Sequence, residues 1–503
     1  MTLFPSEAWS DLPVFLFSAI LLIILVLLGE WMNTRLEIPS ETTRRLIHAF
    51  TGLFSALTPF LFRVPFWVYV LSALFVIGNL WALQKNWFKG MHGIDRKSLG
   101  TATFPLALLV ALFLTWSQNP TRNFALHCAF LVLAFSDPMA SYVGMRVARP
   151  HKYRVGAGFK TMEGSLAFGV SAFFLVLLGL WLYGFDQTAG WMALFMGALT
   201  AAGAATLAEA LGTDGWDNFF IPIAVMVTLV FQYEHSGSAV YVLMALVVGV
   251  GFAFAAWKVQ FLSESGALTT SLLAAALFGF GGYQWSLPGI VFFVLSSLWS
   301  KVGKRRKAAA EFRNEKGSRR DSGQVYANGG VAWALLILYV FLHEEWLFWG
   351  FVGAFAAAAA DTWATEIGAL SKGRTWLFPT FKPTQTGVSG GVSVLGTLGG
   401  LLGGASVWLS TYLSWDGAQR GWSAAIILVA ATVAMFADSA LGTFWQARYR
   451  ERSGRVVERR TTNGEENEWV GGLKWLNNDR VNFLNTGVGA LLSMLGYWLW
   501  ISG

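Results

Sequence analysis

Apolar runs of roughly 20 residues, the length of one bilayer crossing, recur along almost the whole chain and are separated by short polar stretches. Sixteen such runs can be marked, from 12–34 near the start to 481–502 at the end. In hydrocarbon every backbone N–H and C=O must be satisfied within the spanning element, which leaves helices or closed barrels. Runs this long are helical; barrel strands need only about half the length. A hydrophobic share of 55% against 13% charged residues agrees. The expected fold is all-α, a polytopic integral membrane protein of about 14–16 transmembrane helices in two parallel repeats. The runs at 218–233 and 287–300 are short enough to be re-entrant. The first run lacks a cationic leader and is too long for a signal-peptide core, so it reads as a retained helix.

The net charge of +7 raises the possibility of nucleic-acid binding, but its placement argues against that. With the sides alternated, all Lys and Arg except Arg63, Arg122 and Arg420 fall in loops on one face. That asymmetry marks the cytoplasmic side. It puts both termini outside and suits a bacterial inner membrane. No nucleic-acid partner is expected. A single cysteine, Cys128, rules out an intramolecular disulfide and argues against a cysteine-based metal centre.

A polar pattern occurs twice. The first copy is Asp137-Pro-Met-Ala-Ser-Tyr-Val-Gly144, then Lys160-Thr-Met-Glu-Gly-Ser165, then Ala208-Glu209-Ala-Leu-Gly-Thr213. The second is Asp361-Thr-Trp-Ala-Thr-Glu-Ile-Gly368, then Lys382-Pro-Thr-Gln-Thr-Gly387, then Ala437-Asp438-Ser-Ala-Leu-Gly-Thr443. Arg96-Lys97-Ser-Leu-Gly100 precedes the first and Arg320-Asp-Ser322-Gly323 the second. Gly100 and Asp137 are 37 residues apart, Gly323 and Asp361 38. Matches in register indicate duplication of one unit, with halves at 1–235 and 236–503. Carboxylates at a membrane helix centre cost roughly 2.5–3.5 kcal/mol each on insertion scales. A chain that places them there twice has a use for them.

These residue types suggest a chemistry. Asp137, Glu163, Glu209 and Asp217 offer the hard oxygens that Mg²⁺ prefers, and Mg²⁺ shares such ligands with substrate phosphates. Pro138 would suit the first position of a helix capped by Asp137. Lys160 would neutralise a phosphate, while Thr161, Gly164 and Ser165 stand where a helix N-terminus could face one or simply cap it. The counterparts in the second half are Asp361, Glu366 and Asp438 as acids and Lys382 as the cation. Glu366 lies five residues after Asp361, so the two fall about 140° apart on a helix and need not share one cation. Thr386, Gly387 and Ser389 are candidate phosphate contacts, whereas the later glycines to Gly404 read as helix packing. His48 after Arg44-Arg45 reads equally as structural or as an anion site. Acids flanked by bases, with no nucleophilic serine or cysteine motif, suit metal-assisted phosphoryl transfer.

On these motifs the first half resembles the phytol kinase and dolichol kinase family, through Arg96-Lys97, Asp137-Pro-Met-Ala140, Lys160-Thr-Met-Glu-Gly-Ser165 and Asp217-Asn-Phe-Phe-Ile-Pro222. The second half is similar to the transmembrane family that includes phytyl-phosphate kinase, through Arg320 to Val325, Ala360 to Gly368 and Lys382 to Ser389. The resemblance implies two kinases acting in sequence, from an isoprenoid alcohol to the monophosphate and then the diphosphate. It implies CTP as donor with Mg²⁺, and Arg96, Lys97, Arg320 and Ser322 as further nucleotide or phosphate contacts. The second half departs from the pattern at Lys382, where no Thr-x-Glu-Gly-Ser follows. Competing readings are a CTP-dependent lipid cytidylyltransferase and a secondary transporter, the latter because repeats with intramembrane carboxylates are common among transporters.

Overall fold

The computed structural model describes residues 8–85, 99–155, 158–235, 238–303, 319–414, 420–462 and 465–502. Arg96 and Lys97 lie outside the described residues. The chain divides into two compact units, Met1–Leu246 and Val247–Gly503. It is an all-α polytopic membrane protein: eleven helices among the described residues are long and apolar enough to cross a bilayer. Four further long helices are shorter or more polar, among them the 15-residue Gly100–Leu114.

The first unit contains α1 (Ala8–Arg35), α2 (Ser40–Leu61), α3 (Phe66–Lys85), α4 (Gly100–Leu114) and α5 (Asn123–Arg146). A hairpin of β1 (Lys152–Val155) and β2 (Gly158–Thr161) follows, then α6 (Met162–Leu182), α7 (Trp191–Leu211) and α8 (Asp217–Glu234). Helix α5 is the centre and packs on α2, α6 and α8. It runs through Pro138 without ending, so Asp137 is an interior residue and not the N-cap that the proline suggested. Small residues let its neighbours approach. A Cβ on Gly52 would lie 2.6 Å from the Ala134 Cβ, and one on Gly164 2.9 Å from the Ala140 carbonyl oxygen. Thr161 caps α6, its hydroxyl accepting from the Gly164 N–H at 3.2 Å.

The boundary between units falls within α9 (Ser238–Lys258). The second unit continues with α10 (Glu264–Lys301), which is broken at Gly282 (φ 62°, ψ −159°), then α11 (Ser322–Leu342) and α12 (Glu345–Gly368). Asp321 starts α11 with a reciprocal capping box to Gln324. After α12 come β3 (Thr375–Leu377), β4 (Lys382–Thr384) and β5 (Gly391–Val392), with β3 in the middle. Helices α13 (Val394–Ser414) and α14 (Arg420–Phe444) follow. Short strands β6 (Arg448–Arg450) to β10 (Glu468–Gly471) then lead into α15 (Asn478–Ser502). Helix α12 is the hub and packs on α10, α11, α13, α14 and α15. Its stretch Ala356–Ala360 is inaccessible, and α13 lies on it almost backbone to backbone. A Cβ on Gly403 would sit 2.6 Å from the Ala359 oxygen, and one on Gly396 2.8 Å from the Ala364 oxygen. The later glycines are packing residues, as their spacing suggested.

Each unit thus runs in the same order: a central helix bearing an aspartate, a strand bearing a lysine, a helix, and a helix bearing a second acid. The polar stretches between the helices contain short antiparallel strands.

Candidate active site

In the first unit a cavity of about 930 Å³ opens among α1 to α8 and the hairpin. Its polar end is lined by Asp137, Lys160, Glu209, Asp217, Arg45 and His48. Along each wall the charged and amide side chains give way to apolar ones, with the hydroxyls of Thr51, Ser55 and Ser72 among them. On α2 the lining passes from Glu41 and Arg44 to Phe54, on α3 from Asn79 to Leu71, and on α4 from Gly100 to Leu108. The last two stretches each span about 12 Å at 1.5 Å per residue.

The hairpin delivers Lys160. Tyr153 pairs opposite it, and the neighbouring Phe159 is exposed, so alternation turns the lysine inward. Its Nζ lies 2.7 Å from Glu209 Oε1 and 3.6 Å from Asp217 Oδ2. It also donates to the Glu209 carbonyl oxygen. Burial alone would lower the lysine's pKa, but the Glu209, Asp217 and Asp137 carboxylates and the Glu209 hydrogen bond outweigh it and raise it. Glu209 is 5% exposed and fully engaged, since its other oxygen accepts from Ser165 Oγ at 2.9 Å. Ser165 in turn meets the Tyr153 hydroxyl at 2.7 Å. Asp137 Oδ2 lies 3.7 Å from His48 Nε2, which hydrogen-bonds the Leu133 carbonyl at 2.9 Å.

Five of the expected residues, Asp137, Lys160, Ser165, Glu209 and Asp217, therefore meet in one place. Glu163 does not join them. Its carboxylate accepts from the His151 backbone N–H at 3.1 Å and meets the His151 ring at 2.7 Å, and it is not part of the cavity wall. It follows the capping Thr161 by two positions, which turns it to the opposite side of the helix start. Thr161 and Gly164 border the cavity, but the threonine hydroxyl is engaged in capping and the glycine in packing.

In the second unit Asp361 on α12 and Asp438 on α14 are within side-chain hydrogen-bonding reach of each other. Asp438 Oδ2 is buried with no partner among the described residues. Glu366 does not join that pair; its electrostatic partner is Arg320. Burial pushes the Arg320 guanidinium down to about 10, with Glu366 opposing. Arg320 also sits over the rings of Phe292 and Phe293. Ser322 starts α11, its N–H donating to Ser265 Oγ at 3.4 Å. Lys382 is exposed on β4 and has no ion pair among the described residues. Thr386 meets Thr375 through their hydroxyls at 3.2 Å, and Gly387 adopts φ 84°. Ser389 donates to Gln446 Oε1 at 2.7 Å. The sequence reading missed Gln446, Thr443 and Arg448, whose Nε2, Oγ1 and Nε atoms are buried without partners among the described residues. Gln446 and Arg448 lie beyond the duplicated motif, so spacing carried no signal for them, whereas Thr443 closes that motif and was not singled out within it.

Residues 247–490 match the family model described as integral membrane protein DUF92. The chain is similar to phytol-kinase-like membrane proteins. Protein PGR of Arabidopsis thaliana is 30% identical over 183 residues, 33% of this chain and 63% of that protein. Protein VTE6, chloroplastic, from the same plant is 28% identical over 239 residues, 46% of this chain and 65% of that protein. A phytol kinase of Synechocystis sp. is 29% identical over 201 residues, 39% of this chain and 82% of that protein. The chain thus spans less than two thirds of the length of both plant relatives. No solved structure matches.

Among the described residues no three His, Cys, Asp or Glu side chains converge as a ready-made metal cage. Mg²⁺ commonly takes one or two carboxylates and completes its shell with water and substrate phosphates. Asp137 and Asp217, which border the cavity beside Lys160, are the carboxylates that would hold such an ion. The orphaned oxygen of Asp438 beside Asp361 fits the same demand in the second unit.

Proposed function

We propose that the chain is a membrane phosphotransferase whose first unit phosphorylates an isoprenoid alcohol from a Mg²⁺-bound nucleoside triphosphate. The observation that carries this reading is the cavity, apolar at one end and crowded with acids and bases at the other. A prenol would lie with its chain along Leu71, Phe75 and Leu108 and its hydroxyl among Asp137, Asp217 and Lys160. Mg²⁺, held by Asp137 and Asp217, would neutralise charge on the donor phosphates. The alcohol proton passes to a carboxylate at the polar end of the cavity as the alcohol oxygen bonds to the terminal phosphorus and the bond to the nucleoside diphosphate breaks. Lys160 keeps Glu209 and Asp217 in place. The raised pKa of Lys160 keeps it cationic throughout the neutral range.

The second unit, with Asp361 and Asp438 in corresponding positions, would convert the monophosphate to the diphosphate. CTP as donor follows from the resemblance to phytol kinases. The basic loops would place both sites toward the cytoplasm.

The test uses purified full-length protein with γ-labelled CTP and phytol or geranylgeraniol. Wild type should yield labelled monophosphate and diphosphate. Asp137→Asn should abolish both from the alcohol, and Asp361→Asn should accumulate the monophosphate. Diphosphate from both variants would sink the assignment. Release of pyrophosphate in place of nucleoside diphosphate would indicate cytidylyl transfer. Absence of any nucleotide turnover in detergent would favour transport.

A further inference from the structure

The lysine expected to hold phosphate is already committed: Lys160 is pinned between Glu209 and Asp217. Another cation on the cavity wall keeps a donor in reserve. Arg45 reaches from α2 to α5, where its Nη2 donates to Ser141 Oγ at 2.8 Å and lies 3.4 Å from Glu41 Oε1. Ser141 in turn donates to Glu41 Oε1 at 3.1 Å, and Arg44 meets the same oxygen at 3.1 Å. The Arg45 side chain is only 17% exposed, and its Nε is buried with no acceptor among the described residues. A buried guanidinium N–H without an acceptor is unusual and calls for a partner.

The placement indicates which partner. Ser141 follows Asp137 by one helical turn, and Arg45 precedes His48 by three residues. Two rungs therefore link α2 and α5, His48 with Asp137 and Arg45 with Ser141, about 5.4 Å apart along the axis. The Arg45 rung is the one toward the charged mouth, since the charged residues of the α2 lining, Glu41, Arg44 and Arg45, all precede His48 and none follows it. A prenol entering from the apolar end would meet Asp137 first. The donor's phosphates would then extend past it toward Arg45.

We infer that Arg45, steadied by Glu41 and Ser141, is the phosphate-binding cation of the first unit and holds the phosphate group that leaves or is transferred beside Asp137. The inference rests on the kinase reading for the source of that phosphate. Its chemistry, a guanidinium fork on a phosphate oxyanion, is shared by the nucleotide and by the prenyl phosphate product.

The experiment compares wild type, Arg45→Gln and Arg45→Lys as full-length protein in detergent. Inorganic tripolyphosphate binding is measured directly, alongside KM for CTP, KM for geranylgeraniol and product inhibition by geranylgeranyl phosphate. Arg45→Gln should weaken tripolyphosphate binding and raise KM for CTP at least tenfold, with KM for the alcohol within twofold. Millimolar guanidinium should restore part of the loss, which a folding defect would not permit. Arg45→Lys, which keeps the charge but not the fork, should fall between. Relief of product inhibition as the only change would assign Arg45 to the prenyl phosphate instead of the nucleotide. Tripolyphosphate binding and CTP KM unchanged within twofold, with product inhibition also unchanged, would overturn the proposal. Wild type that binds tripolyphosphate through Arg45 but labels no prenol would instead remove the kinase reading and leave the anion site standing.

Discussion

At the scale of single residues, the site is a charge balance in which each partner sets what the next can do. The side chains of Lys160 and Glu209 are only 19% and 7% exposed, so little water is at hand to replace a lost partner. Breaking such a buried pair from one side costs roughly 3–5 kcal/mol, because the remaining charge is stranded. Lys160→Met should therefore lower the thermal midpoint of the purified protein markedly and abolish prenol phosphorylation. Adding Glu209→Gln to Lys160→Met should recover most of the stability without recovering activity. The raised pKa of Lys160 fixes the sign of its pH dependence. The pair's contribution is complete below the ordinary lysine value of about 10.4 and is lost only as pH rises through the higher folded value. Stability measured from neutral to mildly alkaline pH should show no transition that Lys160→Met removes. Glu163, by contrast, should tolerate change. Glu163→Gln is expected to leave the rate of prenol phosphorylation within about threefold of wild type, because its partners are His151 and not the cavity groups. A loss comparable to Asp137→Asn would show that the His151 contact gives way when substrate binds.

Among the elements, the hubs α5 and α12 hold their aspartates at fixed depth because neighbouring helices come close enough to leave them no play. Gly403 illustrates the tolerance: a Cβ there would lie 2.6 Å from the Ala359 oxygen. Gly403→Ala should destabilise the second unit by about 1–3 kcal/mol, the usual penalty of overpacking. Gly251→Ala, with nothing within 4 Å of the added carbon, should be neutral or slightly stabilising. Thermal unfolding of the two variants in the same detergent makes the comparison. The same close approach explains two details that spacing alone could not give. Pro138 was legible as a helix start, yet α5 passes through it, supported by α2, α6 and α8. Lys160 was legible as a cation at a loop-to-helix junction, but only the strand pairing of β1 with β2 turns it inward.

For the molecule as a whole, two units with the same order of elements predict a division of labour that can be complemented. Asp137→Asn and Asp361→Asn proteins mixed in one set of vesicles should together regenerate diphosphate, since the monophosphate can diffuse between copies. At low protein density the mixture should be slower than wild type, because tethering raises the local concentration of the intermediate. Equal rates would show that linkage confers no advantage. The amino-acid order by itself determined the membrane class, the duplication and most of the acids and bases of the first site. Apolar length, repeat spacing and residue chemistry are local properties that survive without a fold. It did not determine which of those groups act together. Glu163 and Glu209 carry the same carboxylate, but one faces His151 and the other closes on Lys160. Asp361 found Asp438 rather than the nearer Glu366, which went to Arg320. Those choices belong to helix packing, because a few tenths of an ångström between backbones and the direction of one hairpin decide which charges share a cavity.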